Sequence, residues 1–217
     1  MRKTGIGCRT VTGRELISLA LDAATAVAKR AECALAYLDP NRMIKCRPGC
    51  SLCCRLEVAA RPFEVIAIAA FIRSNISGEK FQQVRSRIKS TAKRYSGVDE
   101  KHGKYPFVPC PLLENDYCMA YPVRPSTCIV HTSFDYSDCN LIHAKLPVKS
   151  NPFFQSTVWS YADMRELLFR NETETSPDWL VFVTALNAIV DDPERHVEKW
   201  IAGEDIFLST RVRGEDV

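Results

Sequence analysis

Segments that would carry the chain into or across a membrane are missing from this sequence. Its basic start, MRKT, is not followed by the apolar stretch of about 7–15 residues that a secretory signal needs. The longest apolar run, residues 179–190, contains Thr184 and Asn187 and is too short to span a bilayer. We therefore expect a cytoplasmic protein without a membrane partner.

Several patterns that mark common enzyme and binding classes are also missing. The sequence has no internal repeat, no low-complexity linker and no regular alternation of strand and helix. Gly5 and Gly7 lack the preceding strand that a phosphate-binding loop requires, and no Ser-His-Asp pattern rises above chance. These absences argue against a nucleotide-binding α/β protein and against a triad hydrolase.

What the sequence does contain is helical periodicity over much of its 217 residues. Thr12 and Glu15 have the spacing of a capping box at the start of a long first helix. Pro62 is expected at the start of a second helix, and Ser77-Gly78 at the start of a third. In the C-terminal third, three more helices are predicted, each beginning at a cap residue followed by proline: Asn151-Pro152, Ser176-Pro177 and Asp192-Pro193.

These elements predict a mainly α fold. Two cysteine-rich, proline-rich loops converge on a metal site in this prediction, and a helical region forms the C-terminus. We assign residues 1–150 to a cysteine-cluster metal-binding domain with an N-terminal helix. Residues 151–217 are assigned to a helical C-terminal extension that packs on it.

The ten cysteines are the unusual part of the composition. In a reducing compartment, clustered thiols indicate metal binding or catalysis rather than disulfides. In the first cysteine loop, residues 46–54, a Pro-Gly turn lets the thiols converge. In the second cysteine loop, residues 110–128, a short hairpin turning at 114–116 brings thiols together across its base. The predicted metal ligands are Cys46, Cys50, Cys53, Cys54, Cys110, Cys118 and Cys128.

Seven thiolates are one fewer than two four-ligand zinc sites require. His131 and Cys139 both lie close enough in the sequence to supply an eighth ligand. Because thiolate centres carry negative charge, burying them also requires nearby cations. Arg124 is the cation that we predict next to the ligands, and Arg47 and Arg55 are placed for the same role.

The two loops resemble the YkgJ-type family of cysteine-cluster proteins, also described as zinc- or iron-chelating domain proteins. The family pattern is C-x(2–4)-C-x-x-C-C, then C-P with a hydrophobic pair, then C-x-x-Y-x-x-R-P-x-x-C. Residues 46–128 match it, and Glu64 looks like an acidic position of the family. The resemblance implies a bound zinc, iron or iron–sulfur centre but no single reaction. Ile129 departs from the family, which often has a basic residue there.

Other function classes stay open. The spacing of the first three cysteines is also that of radical S-adenosylmethionine enzymes, but Leu52 replaces the usual aromatic residue and no long run of β-α units follows. An iron–sulfur-dependent modifying enzyme, methylase-like or redox, is the main alternative, since the resemblance includes flagellin lysine methylases. A less favoured alternative is a nucleic-acid or acidic-protein binder that uses the stripe Arg85, Lys89 and Lys93. Thiolate-rich sites suit zinc and iron–sulfur clusters alike.

Overall fold

A computed structural model of the protein describes residues 11–95, 107–135, 137, 139, 151–173 and 178–212. Helices dominate this part of the chain, which confirms the predicted mainly α fold. The helices are α1 Gly13–Leu38, α2 Pro62–Asn75, α3 Gly78–Tyr95, α4 Ser126–Val130, α5 Pro152–Thr173, α6 Phe182–Ile189 and α7 Pro193–Ile201.

Within the described residues, sheet is limited to two small antiparallel pairs. Short 3-10 turns lie at Tyr121–Val123 and Leu208–Thr210. The strands are β1 Ala59–Ala60, which pairs with β4 Leu180–Val181, and β2 Leu113–Glu114, which pairs with β3 Tyr117–Cys118.

Local sequence signals account for most helix starts. The Thr12 side chain accepts a hydrogen bond from the backbone amide of Glu15, and the Glu15 carboxylate accepts one from the amide of Thr12. Pro62 and Pro152 are the first residues of α2 and α5. The Asp192 side chain caps α7. The predicted starts at these positions are therefore confirmed.

The helix start predicted at Ser176-Pro177 is wrong in its position. Residues 174–177 lie outside the described residues, and the chain forms strand β4 before α6 begins at Phe182. Leu180 pairs with Ala60 of β1, and the amide of Phe182 donates a 2.9 Å hydrogen bond to the carbonyl of Val58. Because β4 pairs with the distant strand β1, α6 begins at Phe182 and not at Ser176-Pro177, where the local sequence predicts its start.

The core is centred on α2, whose residues 62–70 are all buried. A helix that is apolar on every side is expected in the middle of a protein. The N-terminal half of α1 packs against it through small side chains such as Ala20 and Ala24, and Leu186 of α6 and Val197 of α7 join the same cluster. The core thus crosses the predicted boundary at residue 150, and the division into two domains stays a prediction.

No helix in the described ranges is long and apolar enough to cross a membrane.

Candidate metal centre

The seven cysteines predicted as ligands line one cavity of about 200 Å³. They are free thiols, and each is partly buried. The first loop and the segment from the hairpin to α4 supply the thiols. Residues of α1, α2, α3 and α6 form further parts of the wall. Two segments that are far apart in the sequence therefore present their sulfur atoms to the same space, which we call the cysteine cavity.

The first cysteine loop is held by consecutive tight turns. The amide of Cys50 donates to the carbonyl of Arg47, and the amide of Cys54 donates to the carbonyl of Ser51, both at 3.0 Å. Gly49 has a φ of +88°, which favours glycine. A Cβ at this position would also lie 3.1 Å from the ring of Tyr117 in the hairpin. Glycine thus allows both the turn and the close approach of the second loop.

The second loop begins with the predicted hairpin. Asn115 and Asp116 form its turn with φ values of 48° and 66°, which suit the twist of a two-residue hairpin connection. Cys118 pairs with Leu113 across the two strands. The amide of Leu113 donates a 3.0 Å hydrogen bond to the carbonyl of Cys110, so both cysteines lie at the base of the hairpin.

Two hydrogen bonds join the loops directly. The amide of Cys110 donates to the carbonyl of Cys54 at 2.7 Å. The hydroxyl of Ser51 donates to the carboxylate of Asp116 at 2.6 Å. Since neither bond involves a thiol, the loops meet without help from the sulfur atoms.

A buried carboxylate fixes the segment that carries Cys128. Glu64, only 1% exposed, accepts hydrogen bonds from the amides of Arg61 and Ser126, at 2.9 and 2.8 Å. The hydroxyl of Thr127 donates to the carbonyl of Ala59 at 2.6 Å. Ser126 and Thr127 immediately precede Cys128, so these bonds set where its thiol enters the cavity.

Arg61 was missed by sequence reasoning, although it is 2% exposed and lies at the centre of a charge network. Its Nη1 donates to the hydroxyl of Ser126 at 2.7 Å, and its Nε donates to Glu166 at 2.8 Å. Nη2 pairs with Asp163, and the guanidinium lies 4.3 Å from the centre of the Trp179 ring. These contacts offset the free-energy cost of burying the charge of the Arg61 guanidinium. In the sequence, the one feature that marks Arg61 is its position directly before Pro62, the first residue of α2.

Burial controls the protonation of the second-loop thiols. It raises the pKa of Cys110 to about 12 and also raises the pKa values of Cys118 and Cys128, each further raised by neighbouring thiolates. Cys54 differs because a hydrogen bond from Cys53 and the charge of Arg124 lower its pKa. At neutral pH most of these thiols are protonated, so a metal ion must displace their protons.

Arg124 lies at the cavity wall. Its Nη1 donates to the carbonyl of Tyr121 at 2.8 Å, and its guanidinium lies 3.7 Å from the centre of the Tyr121 ring. Its positive charge lowers the pKa values of Cys54 and Cys118. Arg47 also lines the cavity. Arg55 is exposed and is not among the residues that line the cavity. The role of Arg124 beside a bound ion stays a prediction.

Both candidates for an eighth ligand lie near Cys46. The Cys46 thiol donates a 3.7 Å hydrogen bond to the carbonyl of His131, a residue that lines the cavity. Burial lowers the pKa of the His131 imidazole. Cys139 is 6% exposed, and its thiolate raises the pKa of Cys46.

The donor chemistry of the cavity fits a thiophilic metal. Seven soft thiol donors suit Zn²⁺ or iron–sulfur clusters and do not suit Mg²⁺ or Ca²⁺. Among the described residues, however, no group of three or more His, Cys, Asp or Glu side chains already has the arrangement that holds an ion. The thiols would therefore have to close on the metal as it binds.

Comparisons with protein-family models, with curated proteins and with solved structures find no match to this chain. The resemblance to the YkgJ-type family stays a prediction that rests on residues 46–128.

The basic stripe predicted on α3 is partly occupied by contacts within the protein. Arg85 donates two hydrogen bonds to the carboxylate of Asp191, at 2.6 and 2.8 Å, and one to the side chain of Asn187 at 2.7 Å. Lys89 and Lys93 remain exposed. This pairing weakens the basis for a nucleic-acid or acidic-protein binder.

Proposed function

We propose that this chain is a metal-binding protein of the YkgJ-type cysteine-cluster family that holds zinc or iron, or an iron–sulfur cluster, between its two cysteine loops. The observation that carries the proposal is the cysteine cavity, where thiols from two distant segments meet. Free thiols at this density require a reducing compartment, so a cytoplasmic location belongs to the same proposal.

The surroundings of the thiols support metal binding. One backbone hydrogen bond, from Cys110 to Cys54, and one side-chain hydrogen bond, from Ser51 to Asp116, already join the two loops. An ion would therefore have to narrow an existing pocket rather than assemble it from separate segments. Arg124 supplies a nearby positive charge to a site that becomes negative when its thiols ionise. Bound zinc would staple the two loops, whereas an iron–sulfur cluster would add redox chemistry.

The test is a metal analysis of the full chain purified without oxygen. We expect zinc, or iron with acid-labile sulfide, bound in stoichiometric amounts. The triple variant Cys110→Ser, Cys118→Ser, Cys128→Ser should lose the metal, while Cys33→Ser, which removes an exposed thiol of α1, should keep it. Equal metal contents in the triple variant and the parent protein would contradict the proposal.

An iron–sulfur-dependent modifying enzyme is the second candidate, because the cavity extends past the thiols. Glu57, Thr91, Tyr95 and Phe182 line the same space. Burial, followed by the charge of Glu57, raises the pKa of Tyr95 to about 12. A small reactant could lie there beside a cluster. A brown protein with acid-labile sulfide would favour this candidate, and a colourless zinc protein would exclude it.

A further inference from the structure

The hairpin that carries Cys110 and Cys118 is held by α3, a helix outside both cysteine loops. We infer that Arg87 of α3 is a positioning residue of the metal centre. Its guanidinium sets the places of Cys110 and Cys118 and thereby the affinity of the site for metal. The inference rests on the proposed metal-binding function and adds to it a residue that is not a ligand.

Arg87 contacts both sides of the hairpin base. Its Nε donates a 3.1 Å hydrogen bond to the carbonyl of Pro111, and its Nη2 donates a 3.5 Å hydrogen bond to the sulfur of Met119. Pro111 directly follows Cys110, and Met119 directly follows Cys118. One planar guanidinium therefore bridges the two residues that lie next to the predicted ligands of the hairpin.

The hairpin has few bonds of its own. Its strands β2 and β3 contain 2 residues each, and so short a hairpin is marginally stable in water. The amide of Met119 donates a 2.9 Å hydrogen bond to the carbonyl of Leu112, which closes the base. Support from another element is therefore needed to keep Cys110 and Cys118 at a fixed separation.

A second cation of α3 holds the other end of the hairpin. Lys80 pairs with the carboxylate of Glu114, the last residue of β2 before the turn. Lys80 and Arg87 lie about two helical turns apart on the same face of α3, which is roughly 10 Å along its axis. The two cations therefore hold the hairpin at both its turn and its base.

The charge of Arg87 agrees with this role. Arg87 is half-buried, and a guanidinium keeps its positive charge at any pH used for metal binding. When a metal ion displaces the protons of the thiols, the centre becomes negative. A permanent cation next to the hairpin base then stabilises the metal-bound state in addition to placing the ligands.

The same helix offers a matched control for this charge. Lys89 is exposed, and in the described part of the chain it makes no hydrogen bond to the hairpin. Lys89→Gln therefore removes one positive charge from α3 and leaves the contacts of Arg87 in place.

The test is a Co²⁺ titration of the full chain without oxygen, in competition with a chelator of known affinity. We expect Arg87→Gln to bind Co²⁺ roughly 10- to 100-fold more weakly than the parent protein, the range for groups that orient metal ligands. Arg87→Lys keeps the charge but loses the planar pair of donors, so it should recover only part of the affinity. Lys89→Gln should bind as tightly as the parent protein. The visible absorption band of thiolate-bound Co²⁺ should also shift in Arg87→Gln, because the arrangement of the ligands changes.

Amide hydrogen exchange of the metal-free protein tests the position of the hairpin directly. In Arg87→Gln and Arg87→Lys, the amides of Leu113 and Met119 should exchange several-fold faster than in the parent protein. The amides of α4 should keep their rates, because the bond between Glu64 and Ser126 holds that helix separately. Equal acceleration in α2 and α4, or unfolding of both variants, would show that Arg87 supports the whole fold and would overturn the inference.

The outcomes separate this inference from the proposed function. Uptake of no metal by the parent protein would overturn both. Equal affinities of Arg87→Gln and the parent protein for Co²⁺ would overturn the role of Arg87 and leave the proposed function intact. Equal losses of affinity in Arg87→Gln and Lys89→Gln would also overturn that role, because the charge of α3 alone would then account for them.

Discussion

The backbone amide of Cys110 donates a 2.7 Å hydrogen bond to the backbone carbonyl of Cys54 and thereby joins the two cysteine loops. Because the bond uses no side chain, replacing either thiol with a hydroxyl leaves both of its atoms in place. Serine variants should therefore keep the loops together. Loss of metal in such variants then reports the loss of a ligand rather than the separation of the loops.

Replacing Arg124 should weaken metal binding. Arg124→Lys keeps the charge but loses the planar group that lies over Tyr121 and bonds to its carbonyl. We expect metal affinity to fall by roughly 10- to 100-fold, the range for groups that support metal ligands. Competition with a chelator of known affinity measures the change. Arg55→Lys, at an exposed position of the same region, is the control and should leave the affinity unchanged. Equal metal occupancy in Arg124→Ala and the parent protein, at limiting metal, would show that Arg124 does not support metal binding.

Removing the Arg61 side chain should destabilise the whole protein. Arg61→Ala leaves Glu64 buried without its guanidinium neighbour and removes the partners of Ser126 and Glu166. We expect a loss of about 3–5 kcal/mol in the free energy of unfolding, which denaturant titration measures.

The matched control for this variant lies near the other end of α2. Arg73 lies over the ring of Phe81 at an exposed end of α2, and Arg73→Ala should cost only about 0.5–1 kcal/mol. Similar losses for the two variants would show that the buried network contributes little.

Removal of the metal should loosen the loops more than the helices. The helices α1, α2 and α6 bury their own apolar faces in the core, whereas the cysteine loops are held by turns and a few hydrogen bonds. After chelation we expect faster amide hydrogen exchange in residues 42–60 and 107–135 and little change in α2. A uniform increase in the amide exchange rate over all described helices would contradict this expectation.

The metal-free protein should lose stability in alkaline solution. The pKa of Cys110 is raised from its ordinary value of 9.0 to about 12, so the folded state holds this proton more tightly than the unfolded chain. A raised pKa contributes stability that is complete below pH 9 and is lost as the pH rises towards 12. The loss for one such thiol is about 1.4 kcal/mol per pH unit in this window.

Thermal unfolding of the chelator-treated protein between pH 8 and pH 10.5 checks this prediction. Cys110→Ser should show a smaller fall in melting temperature than the parent protein, because a hydroxyl does not titrate in this range. An identical fall in the two proteins would show that other groups control the alkaline transition.

The features that were predictable from the sequence are those that depend on neighbouring residues. The capping box of Thr12 and Glu15 and the hairpin turn at Asn115 and Asp116 use atoms within a few positions of each other. The meeting of the cysteines in one cavity was predictable because turn residues fold each loop locally before the loops meet.

The features that sequence reasoning missed depend on distant segments. Arg61 is buried because Ser126, Asp163 and Glu166 reach it from other helices, and no short pattern links these positions. The start of α6 is displaced because β4 pairs with β1.

The Arg61 network also has an evolutionary consequence. A chain that loses Arg61 alone would keep Glu166 near the buried Glu64, whose charge raises the pKa of Glu166, and would lose the guanidinium that lowers it. A neutral residue at position 61 should therefore be tolerated only with neutral partners at positions 64 and 166. Among related sequences, we expect these three positions to change together, and deep mutational scanning of pairs would show compensation between residues that are a hundred positions apart.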